Sequence, residues 1–251
     1  MRKIGLLGYG KIGKAIAKGI QEDQLGEVIF IQDVNVSEAV DADVTITKSP
    51  EKNRYKQVDL VIECATPAAL DDNLEMILEH GDLLLFSVTA FCEPEFEEKA
   101  LTLAKKYKRH IYIPHGAILG LDGITDGKQA WESITLETIK NPASLGRGDT
   151  VKTTLYKGPT RGACKLFPRN VNVHATVALA GLGFDATQSK IISDPDVNTN
   201  THHITLGGQG ITIRMDISSF SEGGVSGIYT PLSAFGSVRR LLDQENTLQI
   251  I

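Results

Sequence analysis

Three glycines near the N-terminus have the spacing of a loop that binds phosphate groups. Gly8, Gly10 and Gly13 form a GxGxxG pattern between a predicted strand and a predicted helix. The first glycine permits a tight turn, the second lets a diphosphate approach the backbone, and the third lets helix and strand pack closely. The N–H groups at the start of the helix would face the phosphates, which makes Lys11 and Ile12 candidate cofactor contacts.

Asp33 ends the second predicted strand, where an acidic side chain is expected to bind the ribose hydroxyls of a dinucleotide. Its carboxylate would repel a 2′-phosphate, so NAD is the favoured cofactor and NADP the less favoured one. Cys64 and Ala65 follow another predicted strand, in a loop expected to border the dinucleotide. Because the sequence shows no basic neighbour that would lower its pKa, Cys64 is interpreted as a small packed side chain and not as a nucleophile.

Histidine is the side chain best suited to accept a proton near neutral pH. His115 opens a glycine-spaced loop, His174 lies on a predicted long helix, and His202 follows a polar turn formed by residues 198–201. Spacing alone leaves the choice between these three open. His203 adds a fourth candidate, although adjacent strand residues point to opposite faces and only one of the pair can enter a site. We expect an ionisation in the histidine range that disappears with the catalytic imidazole.

Arg161, Lys165 and Arg169 recur at helical spacing on the helix predicted over 161–182. On one face of a helix they would pair with the carboxylates of a substrate, to which His174 is a further candidate contact. The same spacing is equally typical of a solvated stripe of charge.

The elements that must position these residues change in character near Pro114. Before it, strand-like runs alternate with helical patterns, which predicts right-handed crossovers and a doubly wound parallel sheet of the Rossmann type. The runs that read as strands are 3–7, 27–32, 58–63, 83–88 and 110–113.

After Pro114, β-branched residues alternate in the manner of antiparallel strands. These strands are predicted over 133–140, 150–157, 188–193, 203–206 and 211–216, with a hairpin at 207–210. The predicted fold class is therefore α/β, with an N-terminal Rossmann domain followed by an α+β domain that contains a mixed or antiparallel sheet. The expected boundaries are 1–113 and 114–228, and the C-terminal segment 229–251, which opens with a helix, is expected to pack back onto the first domain.

Several segments together resemble the L-aspartate dehydrogenase family. They are GYGKIG (8–13), HGAILGLDGI (115–124), FPRNVNV (167–173) and the Asn-x-His at 200–202. The resemblance implies NAD(P)-dependent oxidation of L-aspartate to iminoaspartate, which can feed NAD biosynthesis, by a protein that often dimerises. Exposed antiparallel strands in the second half are consistent with a homodimer.

The resemblance also implies roles for individual residues. His202 matches the family's catalytic histidine, and Ala117 and Asn172 match positions that contact the dinucleotide. The sequence departs from the pattern at His174, where the family usually has a small residue. It departs again at Glu222–Gly227, which lacks the character expected before the last helix and bears on the identity of the substrate.

Two other functions fit the same motifs. One is a related Rossmann reductase that acts on a cyclic imine or a semialdehyde, and the other is an NAD-binding sensor without catalytic activity. Turnover with a panel of amino and oxo acids would separate an enzyme from a sensor.

The composition is that of a soluble globular protein. Of 251 residues, 41% are hydrophobic and 23% are charged, and the formal net charge of -5 offers no basic excess for nucleic acid. No apolar run is long enough to cross a membrane, and the N-terminus lacks the pattern of a secretory signal. Cys64, Cys92 and Cys164 have no spacing suited to zinc. We expect a reduced, cytoplasmic protein without a metal.

Overall fold

A computed structural model of the chain describes residues 1–36, 44–220 and 228–243. The chain forms two compact units, one of Met1–Gly116 with Pro231–Ile251 and the other of Ala117–Thr230. None of the helices within the described ranges is long and apolar enough to span a membrane. The segment Glu222–Gly227, which departs from the family pattern, lies outside the described residues.

The first unit contains a six-stranded sheet in which all neighbouring strands are parallel. Its strands are β1 (Lys3–Leu7), β2 (Glu27–Gln32), β3 (Thr45–Thr47), β4 (Leu60–Glu63), β5 (Asp82–Leu85) and β6 (Ile111–Tyr112). Their order is β3-β2-β1-β4-β5-β6, which confirms the predicted Rossmann sheet. The strand order reverses between β1 and β4, and in such folds ligands bind where the strands end at that point.

Helices cover the sheet of the first unit. They are α1 (Lys11–Glu22), α2 (Lys52–Tyr55), α3 (Pro67–His80), α4 (Pro94–Tyr107) and α8 (Tyr229–Leu242), which belongs to this unit from Pro231 onward. The apolar faces of β1, α1 and α8 share one buried cluster, which includes Ile4, Leu6, Ile16, Ile20, Ala234, Val238 and Leu242. Burial of apolar side chains at about 1.5 to 3 kcal/mol each is the main contribution to the stability of such a cluster.

The second unit contains a five-stranded mixed sheet with helices. Its strands are β7 (Trp131–Lys140), β8 (Thr153–Pro159), β9 (Gln188–Ser193), β10 (Thr199–Gly208) and β11 (Ile211–Phe220), in the order β11-β10-β7-β9-β8. Only the β7–β9 pair is parallel. The helices are α5 (Leu121–Asp126), α6 (Thr160–Leu166) and α7 (Asn172–Ala180).

Alternate residues of β7 and β10 form the buried face of this sheet. On each strand that face is apolar at one end, with Ile134 and Leu136 on β7 and Ile204 and Leu206 on β10. At the other end of each strand the buried positions are polar. Period-two alternation therefore holds along both strands, while the chemistry of the buried face changes midway.

The prediction of one long helix over 161–182 is wrong. The chain forms α6 and α7 there, and the residues between them form a turn that contains Pro168. Proline has no N–H to donate and disfavours helical geometry in the residue before it, so the helix ends at Leu166. Arg169 lies in that turn, and the three basic residues therefore do not share one helix face.

The prediction of a polar turn over residues 198–201 is also wrong, because β10 already begins at Thr199. Asparagine and threonine favour turns locally, but here the neighbouring strand pairs with them, with Thr199 opposite Phe220 of β11. His202 consequently lies inside the strand, between β7 and β11, where its backbone is held on both sides.

Candidate active site

The glycine loop of the first unit is closely packed on one side and open on the other. Gly8 has a φ of +98°, and a Cβ atom there would lie 2.7 Å from the backbone oxygen of Cys64. A Cβ atom on Gly13 would lie 2.4 Å from the backbone oxygen of Gly8. At Gly10 a Cβ atom would meet nothing within 4 Å. The loop thus packs against the segment that follows β4 and leaves free space at its middle glycine.

The start of α1 has the character of an anion site. Gly10 is the residue before the helix, and it has no side chain that could cap the N–H groups of the first turn. That turn carries no acidic residue. Lys11 is exposed and Ile12 half-buried at this end. Because the helix dipole and the free N–H groups favour negative charge here, these residues fit the diphosphate of a dinucleotide cofactor.

Two carboxylates hold the loops around this helix start. Asp33 Oδ2 accepts a hydrogen bond from the Tyr9 backbone N–H at 2.7 Å, which joins the end of β2 to the glycine loop. Glu63 is fully buried at the end of β4 and accepts hydrogen bonds from the backbone N–H groups of Ala65 at 2.7 Å and Ser87 at 3.0 Å. Burial raises the pKa of Glu63, and these hydrogen bonds oppose that rise.

Sequence reasoning missed Glu63, although an acidic residue directly after the apolar run 60–62 was a usable signal. The neighbouring Cys64 donates a hydrogen bond from its Sγ to the Gly8 carbonyl oxygen at 3.3 Å. Burial, together with the charges of Glu63 and Asp33, raises the pKa of the thiol well above its usual range. Such a thiol packs the loop and is a poor nucleophile.

A cluster of buried polar side chains occupies the polar end of the sheet in the second unit. His202 on β10 lies opposite Thr138 on β7, and its Nδ1 is 2.7 Å from Thr138 Oγ1. The same hydroxyl lies 2.6 Å from Nε2 of His174, which α7 supplies. All three side chains are buried, with His202 only 5% exposed. One threonine hydroxyl therefore joins two of the candidate histidines.

Lys140, two residues beyond Thr138 on the same face of β7, is a further buried member of this cluster. Its Nζ donates a hydrogen bond to the backbone oxygen of Asn170 at 3.3 Å. Burial lowers the pKa of this lysine to about 8. Sequence reasoning missed Thr138 and Lys140, although both interrupt the apolar alternation that Ile134 and Leu136 begin.

Both buried imidazoles are neutral at pH 7. Burial, with the nearby charge of Lys140, lowers the pKa of His174 to about 3. Burial and Lys140, with smaller contributions from His174 and His203, lower the pKa of His202 well below its usual range. The ionisation of His202 therefore lies lower than the sequence led us to expect. A neutral imidazole retains one nitrogen lone pair and can accept a proton.

Replacing Lys140 by methionine (Lys140→Met) is expected to raise the pKa of His202. The amine adds positive charge near the ring and so opposes protonation. As the pH falls, protonation removes the basic form, so the acid limb of the activity profile moves to higher pH in the variant. A pH–rate profile and an NMR titration of the imidazole measure this shift. Lys157→Met, at an exposed position of β8, is the control, and an unmoved limb in Lys140→Met contradicts the assignment.

The other candidate histidines lie elsewhere. His203 points to the opposite face of the sheet, where its side chain is 42% exposed and its ring pairs with Asp216 of β11. His115 belongs to the first unit, and its Nδ1 lies 3.3 Å from Ser233 Oγ. Of the four histidines considered, the structure joins only His174 and His202 through a shared hydrogen-bond partner.

The basic residues considered for substrate binding are separate from one another. Arg161 on α6 forms a two-point ion pair with Asp185, with both N–O distances at 2.7 Å. Lys165 and Arg169 are exposed, on α6 and in the turn after it. Each of the three residues remains a candidate contact for the substrate by itself. They do not form a single row of charge on one helix.

The remaining two cofactor candidates lie in the second unit. Asn172 is the first residue of α7, two positions before His174, and Ala117 is half-buried at the start of the unit. Throughout the described part of the chain, no group of three or more His, Cys, Asp or Glu side chains could hold a metal ion.

Family models match both parts of the chain. Residues 8–114 match the model described as the NAD binding domain of homoserine dehydrogenase. Residues 122–241 match the model described as the C-terminal part of aspartate dehydrogenase.

Curated relatives match over nearly the whole length. An L-aspartate dehydrogenase of Methanosarcina acetivorans is 32% identical over 97% of this chain and 98% of its own. An L-aspartate dehydrogenase of Nitrosopumilus maritimus is 32% identical over 88% of this chain and 89% of its own.

Solved structures of dehydrogenases and reductases are also similar to this chain. The crystal structure of aspartate dehydrogenase from Thermotoga maritima superposes with a TM-score of 0.80 at 27% identity, covering 100% of this chain and 99% of the other. A dihydrodipicolinate reductase from Paenisporosarcina has a TM-score of 0.56 at 13% identity, covering 97% and 94% of the two chains, which shows a shared fold alone.

Proposed function

The chain belongs to the L-aspartate dehydrogenase family, and we propose that it oxidises L-aspartate to iminoaspartate, which hydrolyses to oxaloacetate and ammonia. When bound, a nicotinamide nucleotide supplies the hydride acceptor. The observation that carries the proposal is the buried, neutral imidazole of His202, held by Thr138 at the polar end of the second sheet.

His202 is the proposed proton acceptor. The amino group of the substrate must be neutral before hydride can leave Cα, and a neutral imidazole can take the proton that the ammonium loses. In this step an N–H bond of the substrate breaks and an N–H bond at the imidazole forms. Arg161, Lys165 and Arg169 are the proposed partners of the substrate carboxylates, with Arg161 having to share its guanidinium with Asp185. His174 is proposed to position His202 through the Thr138 hydroxyl that both rings contact.

The proposed cofactor is NAD rather than NADP. The residues expected to hold it are Gly8, Gly10, Lys11, Ile12, Gly13, Asp33, Cys64 and Ala65 in the first unit, with Ala117 and Asn172 in the second. The carboxylate of Asp33 supports the choice, because it lies at the end of β2 and contacts the glycine loop. Negative charge there repels the 2′-phosphate of NADP.

Replacing Asp33 by asparagine (Asp33→Asn) is expected to reduce the ratio of the affinities for NADH and NADPH by about tenfold, or about 1.4 kcal/mol. The amide oxygen keeps an acceptor for the Tyr9 N–H, while the charge that repels the 2′-phosphate is lost. Fluorescence titration with NADH and NADPH measures both affinities. Asp72→Asn, at an exposed position of α3, is the matched control. Equal affinities in the parent protein would remove the basis for this argument.

The proposal extends to a cytoplasmic homodimer whose product can feed NAD biosynthesis. The family resemblance supports it, and the odd number and wide separation of the cysteines at 64, 92 and 164 are typical of a reduced compartment. Sedimentation velocity of the purified protein tests the dimer, and a monomer at micromolar concentration contradicts it.

A turnover assay tests the function as a whole. The protein is expected to reduce NAD with L-aspartate and to oxidise NADH with oxaloacetate and ammonia. Turnover confined to a cyclic imine or a semialdehyde would point to a reductase. Binding of NADH without turnover on any amino or oxo acid would point to a sensor.

A further inference from the structure

The hydrogen bonds of the His202 cluster continue beyond His174 into the second unit. Nδ1 of His174 lies 2.8 Å from Ser189 Oγ, and Ser189 Oγ lies 2.7 Å from Thr160 Oγ1. The Thr160 hydroxyl in turn donates to the backbone oxygen of Thr187 at 3.0 Å. Every side chain in this series is buried. The series therefore runs from His202 through four other side chains to a backbone carbonyl.

We propose that this series, anchored on the Thr187 carbonyl, holds His202 in the tautomer with hydrogen on Nδ1 and so leaves Nε2 as the proton acceptor. The inference deepens the proposed function, on which it rests, by identifying Thr138, His174, Ser189 and Thr160 as positioning residues. None of them has to contact the substrate.

The donor and acceptor in each hydrogen bond of the series can be assigned step by step, starting from the Thr187 carbonyl. A carbonyl oxygen only accepts hydrogen bonds, so the single hydroxyl hydrogen of Thr160 is used on Thr187. Thr160 Oγ1 must then accept from Ser189, whose own hydrogen is thereby used. Ser189 Oγ in turn accepts from His174, which requires hydrogen on Nδ1 of that ring.

The same reasoning then assigns the hydrogen positions on the two imidazoles, His174 and His202. Because His174 is neutral and carries hydrogen on Nδ1, its Nε2 is an acceptor and receives the hydroxyl hydrogen of Thr138. Thr138 Oγ1 therefore accepts from His202, which places hydrogen on Nδ1 of that ring as well. Its Nε2 keeps the lone pair.

Reversing donor and acceptor in every hydrogen bond of the series is unfavourable at the Thr187 carbonyl. With every donor reversed, the Thr160 hydrogen would point to Ser189, and two oxygen atoms would face each other at the Thr187 carbonyl without a hydrogen between them. It would also place hydrogen on Nε2 of His202, which could then no longer accept a proton. The Thr187 carbonyl oxygen keeps the Thr160 backbone N–H as a donor at 2.8 Å, so the reversed direction is disfavoured by the loss of the hydroxyl hydrogen bond and by the repulsion between the two oxygen atoms.

Proton uptake by His202 leaves the series unchanged. When Nε2 takes the substrate proton, the ring becomes an imidazolium that still donates from Nδ1 to Thr138. No hydrogen further along the series has to move. The series thus orients and polarises the ring, and the proton returns from Nε2 to solvent or product.

The test is nitrogen NMR of the full-length protein labelled in its histidine rings, recorded near pH 7. The chemical shifts of Nδ1 and Nε2 report directly which nitrogen carries hydrogen. His202 is expected to show a protonated Nδ1 and a bare Nε2. A spectrum with hydrogen on Nε2 of His202 overturns the inference without any variant.

Variants test the distant part of the series. Ser189→Ala removes the acceptor of His174 Nδ1, so a population of His202 with hydrogen on Nε2 should appear and kcat should fall roughly tenfold or more with KM little changed. Thr138→Val should act in the same direction, and Thr138→Ser should restore the parent spectrum. A parent-like His202 spectrum in folded Ser189→Ala contradicts a role for the series.

The result is separable from the proposed activity. The tautomer is read without substrate, so a protein that fails to oxidise L-aspartate can still show hydrogen on Nδ1 of His202. Conversely, an active dehydrogenase whose His202 carries hydrogen on Nε2 would retain the proposed function and reject the series.

Discussion

Replacing His202 by alanine (His202→Ala) is expected to lower kcat with L-aspartate by a factor of about 10² to 10⁴, the usual contribution of a positioned acid or base. The variant loses the group proposed to take the substrate proton, while the glycine loop of the first unit is untouched. The affinity for NADH should therefore stay at the parent value. Steady-state kinetics and fluorescence titration measure the two quantities.

The neighbouring histidine supplies the matched control. His203→Ala changes the same residue type one position along β10, but on the opposite, partly exposed face of the sheet. It should retain most of the parent kcat. Equal losses in the two variants, or full activity in His202→Ala, would contradict the assignment of His202. His202→Gln, which keeps more of the buried volume, separates lost chemistry from lost stability.

Substitutions at two glycines of the loop are expected to differ in their effect on folding. Gly13→Ala would bring a methyl carbon within 2.4 Å of the Gly8 backbone oxygen, which cannot rotate away. It should destabilise the protein by about 1 to 3 kcal/mol, because the helix and the loop must separate. Gly10→Ala meets no protein atom within 4 Å and should leave the melting temperature nearly unchanged.

The same two variants should both bind NADH more weakly, by about tenfold or more, which is about 1.4 kcal/mol. In Gly10→Ala the methyl group would occupy the space that the diphosphate is proposed to fill. Thermal unfolding and fluorescence titration give the two measurements. Gly236→Ala on α8, where a Cβ atom also meets nothing within 4 Å, should change neither binding nor folding unfavourably. Parent-like NADH binding by Gly10→Ala would contradict the placement of the diphosphate.

Local signals explain why the first unit was predictable from the sequence. A GxGxxG pattern between an apolar strand and an amphipathic helix combines requirements that lie within a few residues of each other, and β1 and α1 form where they were predicted. The parallel order followed from the alternation of strands and helices. The exception is Glu63, which accepts hydrogen bonds from Ala65 nearby and from Ser87, more than twenty residues later in the chain.

The second unit was less predictable because its polar cluster depends on pairing between distant segments. Helical spacing suggested one helix through Pro168, although proline geometry ends α6 before it. Turn-forming residues suggested a loop before His202, although pairing with β11 extends the strand to Thr199. Local preference is weak where a neighbouring strand supplies hydrogen bonds.

The sequence by itself determined the fold class and the glycine loop with its acidic partner Asp33, because both depend on residue types at short spacing. Spacing gave His202 only as one of several candidate histidines, and the family resemblance selected it. Only the tertiary structure decided that His202 and not His203 takes the buried side, that Arg161 is paired, and that a hydrogen-bonded series from Thr160 to His202 exists. The members of that series come from β7, β9, β10, α6 and α7. Hydrogen bonds between side chains so far apart in the chain depend on strand register and helix packing, which residue spacing does not encode.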